Sequence, residues 1–210
     1  MYRADDHFTQ RHGVTPEMPT MMNPKMMKPA QSYQVAFEVS IRAPRDRVWT
    51  ALTEETNNWW PKDFFSAENP AGFVIEGQLG GRVYEAWNGG GGVLWGTVVV
   101  WSPGYRMTWA CEMYPDWTGP GRSFVTFDLE ERGLETIVKV QDSGLCINAN
   151  QAANSLGNGW QRLIGTHFKS YVEAAMWSAP ANLNSGQLSG RYNDGTITPP
   201  PGFTGCTNPV

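Results

Sequence analysis

The sequence predicts an α+β domain in which a curved, seven-stranded antiparallel sheet wraps around a long C-terminal helix. Two patterns carry this expectation. Short segments of alternating apolar and polar residues recur between Gly- and Pro-rich connections, and one apolar stripe at helical spacing follows them near the end of the chain. At 210 residues the chain has room for one such domain and two tails.

Residues 1–31 are polar and rich in Met and Pro, without a sustained period, and are expected to form an extended or disordered arm. The thioethers of Met18, Met21, Met22, Met26 and Met27 are soft ligands of the kind that bind copper(I). No His or Cys lies among them, so no metal is expected, and an arm packing on a neighbour, as in a homodimer, is the simpler use.

The domain is expected to span 32–178. From Tyr33 to Arg42, Val35, Phe37, Val39 and Ile41 alternate with polar residues, the mark of a half-buried strand. Pro44 then opens a helix at a position where its missing N–H costs nothing, and Val48, Trp49 and Leu52 give that helix an apolar side. Trp59-Trp60-Pro61 closes the helical region. Strands are expected at 73–78, 82–87, 93–101, 106–113, 123–130 and 135–142, then a loop at 143–150. Leu156, Trp160, Leu163, Ile164, His167, Phe168, Tyr171 and Val172 next fall on one stripe at intervals of three and four. About 25 residues fit this last helix, roughly 37 Å at 1.5 Å per residue, and it must cover the sheet. Residues 179–210, with Pro199-Pro200-Pro201, read as a tail.

Composition excludes several function classes. A net charge of −4 and a pI near 5.4 offer no basic surface for nucleic acid. No apolar run is long enough for a signal peptide or a membrane span. Cys111, Cys146 and Cys206 are few, odd in number and without metal-ligand spacing, which points to a reducing, cytoplasmic setting. No nucleophile elbow, phosphate-binding loop or dinucleotide fingerprint appears, so no cofactor is expected. Ten Trp, nine Phe and seven Tyr instead suit a pocket for an apolar ligand.

Several separated motifs occur in an order that resembles the START-like helix-grip superfamily: Ile41-Arg42-Ala43-Pro44-Arg45-Asp46-Arg47-Val48-Trp49, Trp59-Trp60-Pro61, Gly80-Gly81-Arg82-Val83-Tyr84-Glu85, Val93-Leu94-Trp95-Gly96-Thr97-Val98, and Gly159-Trp160 opening the final helix. Within it the chain is most similar to the branch named after the activator of heat-shock-protein ATPase. The resemblance implies a cavity between sheet and last helix that holds an apolar small molecule such as a lipid, polyketide or aromatic metabolite. It leaves two alternatives: a cofactor-independent cyclase or hydrolase, and a chaperone-binding module using Trp95 and Trp101 on the outer face.

The period of two then assigns faces. A two-residue Pro103-Gly104 turn pairs Trp101 with Arg106 and turns Leu94, Gly96, Val98 and Val100 inward with Met107, Trp109, Cys111 and Met113. An Arg132-Gly133 turn sends Val125, Phe127, Leu129, Val138 and Val140 inward, with Ser123 and Asp142 at the far end. The glycine run after Asn88 leaves one register open. A five-residue loop points Arg82 and Tyr84 inward and Glu85 outward, and a loop of four or six reverses this.

The candidate ligand-binding residues are Arg82, Tyr84, Trp109, Phe127, Trp160, Ile164, His167 and Phe168, with Trp60 and Phe64 as an aromatic lid or a small core. His167, Tyr84 and Glu85 are the candidate catalytic residues. His167 is expected too far along the helix, roughly 24 Å from its start, to pair with Asp142, which is expected to tie down the 143–150 loop.

Overall fold

A computed structural model describes residues 29–177. The expected N-terminal arm, save residues 29–31, and the C-terminal tail lie outside the described residues.

Seven strands form one antiparallel sheet in the order β1-β7-β6-β5-β4-β3-β2. They are β1 Gln31–Ile41, β2 Pro70–Ile75, β3 Arg82–Trp87, β4 Gly92–Ser102, β5 Arg106–Met113, β6 Gly121–Arg132 and β7 Glu135–Cys146. Two short helices, α1 Arg45–Glu54 and α2 Thr56–Trp59, follow β1, and the long C-terminal helix comprises α3 Ala149–Arg162, a π-helical stretch Leu163–Phe168 and α4 Lys169–Trp177. The predicted α+β plan holds. Among the described residues no helix is long and apolar enough to cross a membrane.

Pro44 starts α1 as expected: its own extended backbone (φ −61°, ψ 147°) ends the preceding loop, and its carbonyl accepts from the Val48 N–H at 3.1 Å. Thr56 Oγ1 donates to the Phe73 carbonyl at 2.6 Å, and the Phe73 N–H donates to Asn57 Oδ1 at 2.8 Å, which pins α2 to β2. The last helix lies on β1 and β7. Where Ile164, Phe168 and Val172 meet the sheet the packing is tight. Trp109 and Phe127 are fully buried with ring centroids 5.0 Å apart, and Phe168 meets Trp59 at 4.8 Å. Each such side chain contributes about 1.5–3 kcal/mol by leaving water.

Three details differ from the sequence reading. First, the β4–β5 connection is Pro103-Gly104-Tyr105, so Ser102 rather than Trp101 pairs with Arg106. A bulge at Val99 absorbs the extra residue and restores Val98 opposite Trp109 and Gly96 opposite Cys111. Val100 is therefore 39% exposed, while Trp101 turns inward to meet Trp49 at 5.0 Å.

Second, the glycine loop closes tightly. The Trp87 N–H donates to the Gly91 carbonyl, and Gly89 and Gly90 both adopt positive φ, which glycine allows without a Cβ clash. Glu85 then lies opposite Val93 and points inward, fully buried, and Tyr84 lies opposite Leu94 on the outer face. A second bulge at Trp95 swings that indole inward, and Leu94 outward, against the expected facing of both.

Third, β7 does not stop at 142. It runs on to Cys146, paired with Gln31 on one side and Gly121 on the other, so Asp142 sits within a strand rather than at a loop.

Candidate functional site

A recess lies under α3, at the end of the helix away from the tight packing. A cavity of about 350 Å³ opens to solvent there, and a smaller space of about 60 Å³ adjoins it towards the sheet. Trp95, Trp117, Leu156 and Trp160 border both, so the two form one recess with an outer and an inner part.

Each wall has a local cause. Gln151, Ser155 and Gly159 on α3, and Leu163 just after it, recur at intervals of four and line the outer cavity alongside Leu156 and Trp160. Small and polar residues dominate this face. A Cβ added at Gly159 would meet only the Phe64 ring, at 3.9 Å, so the glycine leaves room rather than relieving a clash. Phe64 comes from the short turn Lys62–Phe64, where the Arg162 guanidinium lies 5.1 Å from its ring centroid. Trp117 ends the turn Pro115–Trp117 and tilts against Trp95 with centroids 5.2 Å apart.

Trp95 is held by Glu85. The Glu85 carboxylate accepts from the Ser66 N–H at 3.0 Å, the Ser66 hydroxyl at 2.8 Å, Trp87 Nε1 at 3.1 Å and Trp95 Nε1 at 3.2 Å. Donors thus surround a fully buried carboxylate, the arrangement that makes burial of such a group tolerable. Glu85 is saturated and supports the wall without lining the recess.

The inner part is different. Ser123, Glu112 and Asp142 are its polar lining, and Asp142, 1% exposed, accepts at Oδ1 from Tyr33 OH at 2.9 Å and at Oδ2 from Trp160 Nε1 at 2.9 Å. Burial pushes this carboxyl above its usual range, against the opposing pull of hydrogen bonds from Trp160, Tyr33 and Ser123. Desolvation likewise raises the Tyr33 hydroxyl and the Cys111 thiol, so neither ionises near neutral pH. Among the described residues no group of three or more His, Cys, Asp or Glu is arranged to hold a metal.

The structure redistributes the sequence candidates. Trp160 and Phe64 line the recess. Trp109, Phe127, Ile164 and Phe168 are fully buried in the tight part of the core, and Trp60 stacks on Phe73 with centroids 3.6 Å apart, a core contact rather than a lid. Arg82 lies on the outer face, paired with Glu76 and 4.9 Å over the Tyr84 ring, so neither Arg82 nor Tyr84 enters the space between sheet and helix.

His167 leaves the apolar stripe. The Lys169 N–H donates to the Ile164 carbonyl five residues back, and this wider turn advances the helix by one residue relative to an ideal spiral. His167 is left half-buried on the side of Asp63, while Asp142 is engaged by Tyr33 and Trp160; the two do not form a dyad. Asp142, Trp95 and Trp117 are the site residues that sequence reasoning missed. The signal for Asp142 lay in its continuation of the inward series Val138, Val140.

With the helix over a seven-stranded sheet and the recess beneath its first half, the comparisons with known proteins agree on the fold. Residues 42–173 match the family model described as Activator of Hsp90 ATPase homolog 1-like protein. The chain belongs to this family, a branch of the helix-grip superfamily. No curated protein matches it. Among solved structures, MLL2253 from Mesorhizobium loti is 20% identical with a TM-score of 0.50, over 70% of this chain and 98% of its own. Protein SA2116 from Staphylococcus aureus is 13% identical with a TM-score of 0.54, over 70% and 98% of the two chains. DynU16, from the dynemicin biosynthetic locus, is 20% identical with a TM-score of 0.51 over 68% of this chain and 48% of its own. These likenesses establish the shared helix-grip fold of the family member described here.

Proposed function

We propose that the chain binds a small, mostly apolar molecule in the recess beneath α3. One observation carries this reading: a cavity of about 350 Å³ with aromatic and aliphatic walls leads to an inner space of about 60 Å³ that ends on a buried carboxyl group. That combination, apolar walls with a small number of placed polar groups, is what small-molecule sites share. Cys111 and Cys146 are free thiols, consistent with a reducing, cytoplasmic location.

The test is extraction of the purified chain followed by mass spectrometry, beside a Leu156→Trp variant whose larger ring fills the outer cavity. A stoichiometric apolar molecule leaving the unmodified chain and absent from the variant supports the reading. Equal recovery from both sinks it.

A second reading, a cofactor-independent cyclase or hydrolase, is favoured by the raised carboxyl of Asp142 in the inner space, which suits a proton-transfer group better than the outlying His167 or the saturated Glu85. Loss of turnover in Asp142→Asn, in protein that circular dichroism shows to be folded, would support it; retained turnover would exclude Asp142 as the proton carrier. The chaperone-binding reading has lost its expected contact pair, because Trp95 and Trp101 both pack inward on the core.

A further inference from the structure

The recess has a charge pattern that narrows its ligand. No Arg, Lys or His lines either part, while Asp142 borders the inner space and Asp116 the mouth. Glu112 also borders the inner part, but its carboxylate pairs with Arg122 on the outer face. The nearby Arg162 is engaged by Asp63 and lies against Phe64. Asp142 itself has no cationic partner among the described residues; its hydrogen bonds come from the neutral groups of Tyr33, Trp160 and Ser123.

Three indoles, of Trp95, Trp117 and Trp160, surround the path from the mouth to Asp142. Trp95 and Trp117 lie 5.2 Å apart at a tilt of 49°, so their faces form a corner rather than a stack. An aromatic corner in the same recess as a buried carboxyl group whose donors are all neutral suits a cation: the ring faces attract positive charge, and an ammonium supplies the counter-charge that the carboxylate lacks. A neutral hydroxyl would supply one hydrogen bond but leave the buried charge unbalanced, and an anionic headgroup would be repelled by it.

Resting on the reading of the recess as a binding site, we propose that its ligand is an apolar or aromatic molecule bearing a protonated amine, with the ammonium on Asp142 and the apolar body between Trp95, Trp117 and Leu156. Fatty acids and other apolar carboxylates are the ligands it rejects.

Isothermal titration of the full chain at neutral pH with three matched probes tests this: naphthylmethylamine, naphthylmethanol and naphthoate. The amine is expected to bind at least about tenfold more tightly than the alcohol, the gain that a desolvated cation–π contact and a charge-assisted hydrogen bond supply, and naphthoate is expected to bind most weakly. This ranking is read on the unmodified chain and so does not depend on any variant folding. In Asp142→Asn the amine should lose its advantage over the alcohol. Amine and alcohol binding equally, or an amine advantage that survives Asp142→Asn, overturns the assignment of charge while leaving the recess a binding site. Binding by none of the three overturns both.

Discussion

Along the last helix, the stretch from Ile164 to Val172 presses fully buried side chains onto Trp109, Phe127 and Trp59, whereas the stretch from Gln151 to Trp160 stands over open space of about 350 Å³. The same sheet and the same helix make a packed core at one end and a recess at the other. The difference lies in residue size. The packed end places Ile164, Phe168 and Val172 against the sheet, whereas the open end places the smaller Ala149 and Ala152 there beside Leu156, with exposed Gln151 and Ser155 along the rim of the recess. Their two buried carboxylates repeat the contrast. Glu85 is saturated by Ser66, Trp87 and Trp95 and acts as a strut, and Asp142 is held by Tyr33 and Trp160 and borders free volume.

Cutting a side chain from each end of the helix should separate them most. Phe168→Ala should cost about 3–5 kcal/mol in a denaturant titration, the usual result of leaving a hole in a packed core. Leu156→Ala, at the recess, should cost no more than about 1 kcal/mol. Equal costs would mean that the recess is packed in solution. Between the carboxylates, Glu85→Gln should be the more damaging to stability, by about 1–3 kcal/mol, because its amide sets donors against the donors of Ser66 and the two indoles. The same change should loosen Trp95 and weaken ligand binding by calorimetry; unchanged binding would show that Glu85 does not hold that wall.

A smaller effect follows from the raised carboxyl of Asp142. A carboxyl whose pKa is higher folded than unfolded leaves the native state binding more protons, so its contribution to stability is greatest in acid and is lost as pH rises through the raised value. Wild-type stability relative to Asp142→Asn should therefore fall as pH climbs past the ordinary carboxylate range. A difference that is flat, or that rises with pH, would contradict the burial of a carboxyl without a cationic partner. The least effect belongs to His167→Ala, which should change stability within about 0.5 kcal/mol and leave binding unchanged, as befits a half-buried residue outside the recess.

The fold could be read from the sequence because its cues are local and repeated. Alternation from Val35 to Ile41, Pro44 before a helix, and the stripe from Leu156 to Val172 each depend on a few neighbouring residues. The site depends instead on single-residue shifts that a fixed period does not carry. The bulges at Val99 and Trp95 reverse the facing of Val100, Trp101, Leu94 and Trp95, and the wide turn near Gly165 takes His167 off the stripe. Asp142 shows the limit from the other side. Its inward direction followed from Val138 and Val140, but its role depended on β7 continuing to Cys146, where Gly144 and Leu145 interrupt the pattern that marked the strand.

The central claim is that ligand occupies the recess beneath α3 and not the space between the middle of the sheet and the helix. Indole N–H resonances in a nitrogen-15 correlation spectrum report on it directly, since ten tryptophans are spread through the sequence. On titration with naphthylmethylamine, the signals of Trp95, Trp117 and Trp160 should move together while those of Trp49, Trp59 and Trp109 stay in place. Movement led by Trp59 and Trp109, with Trp117 unaffected, would place the ligand at the packed end and contradict the account.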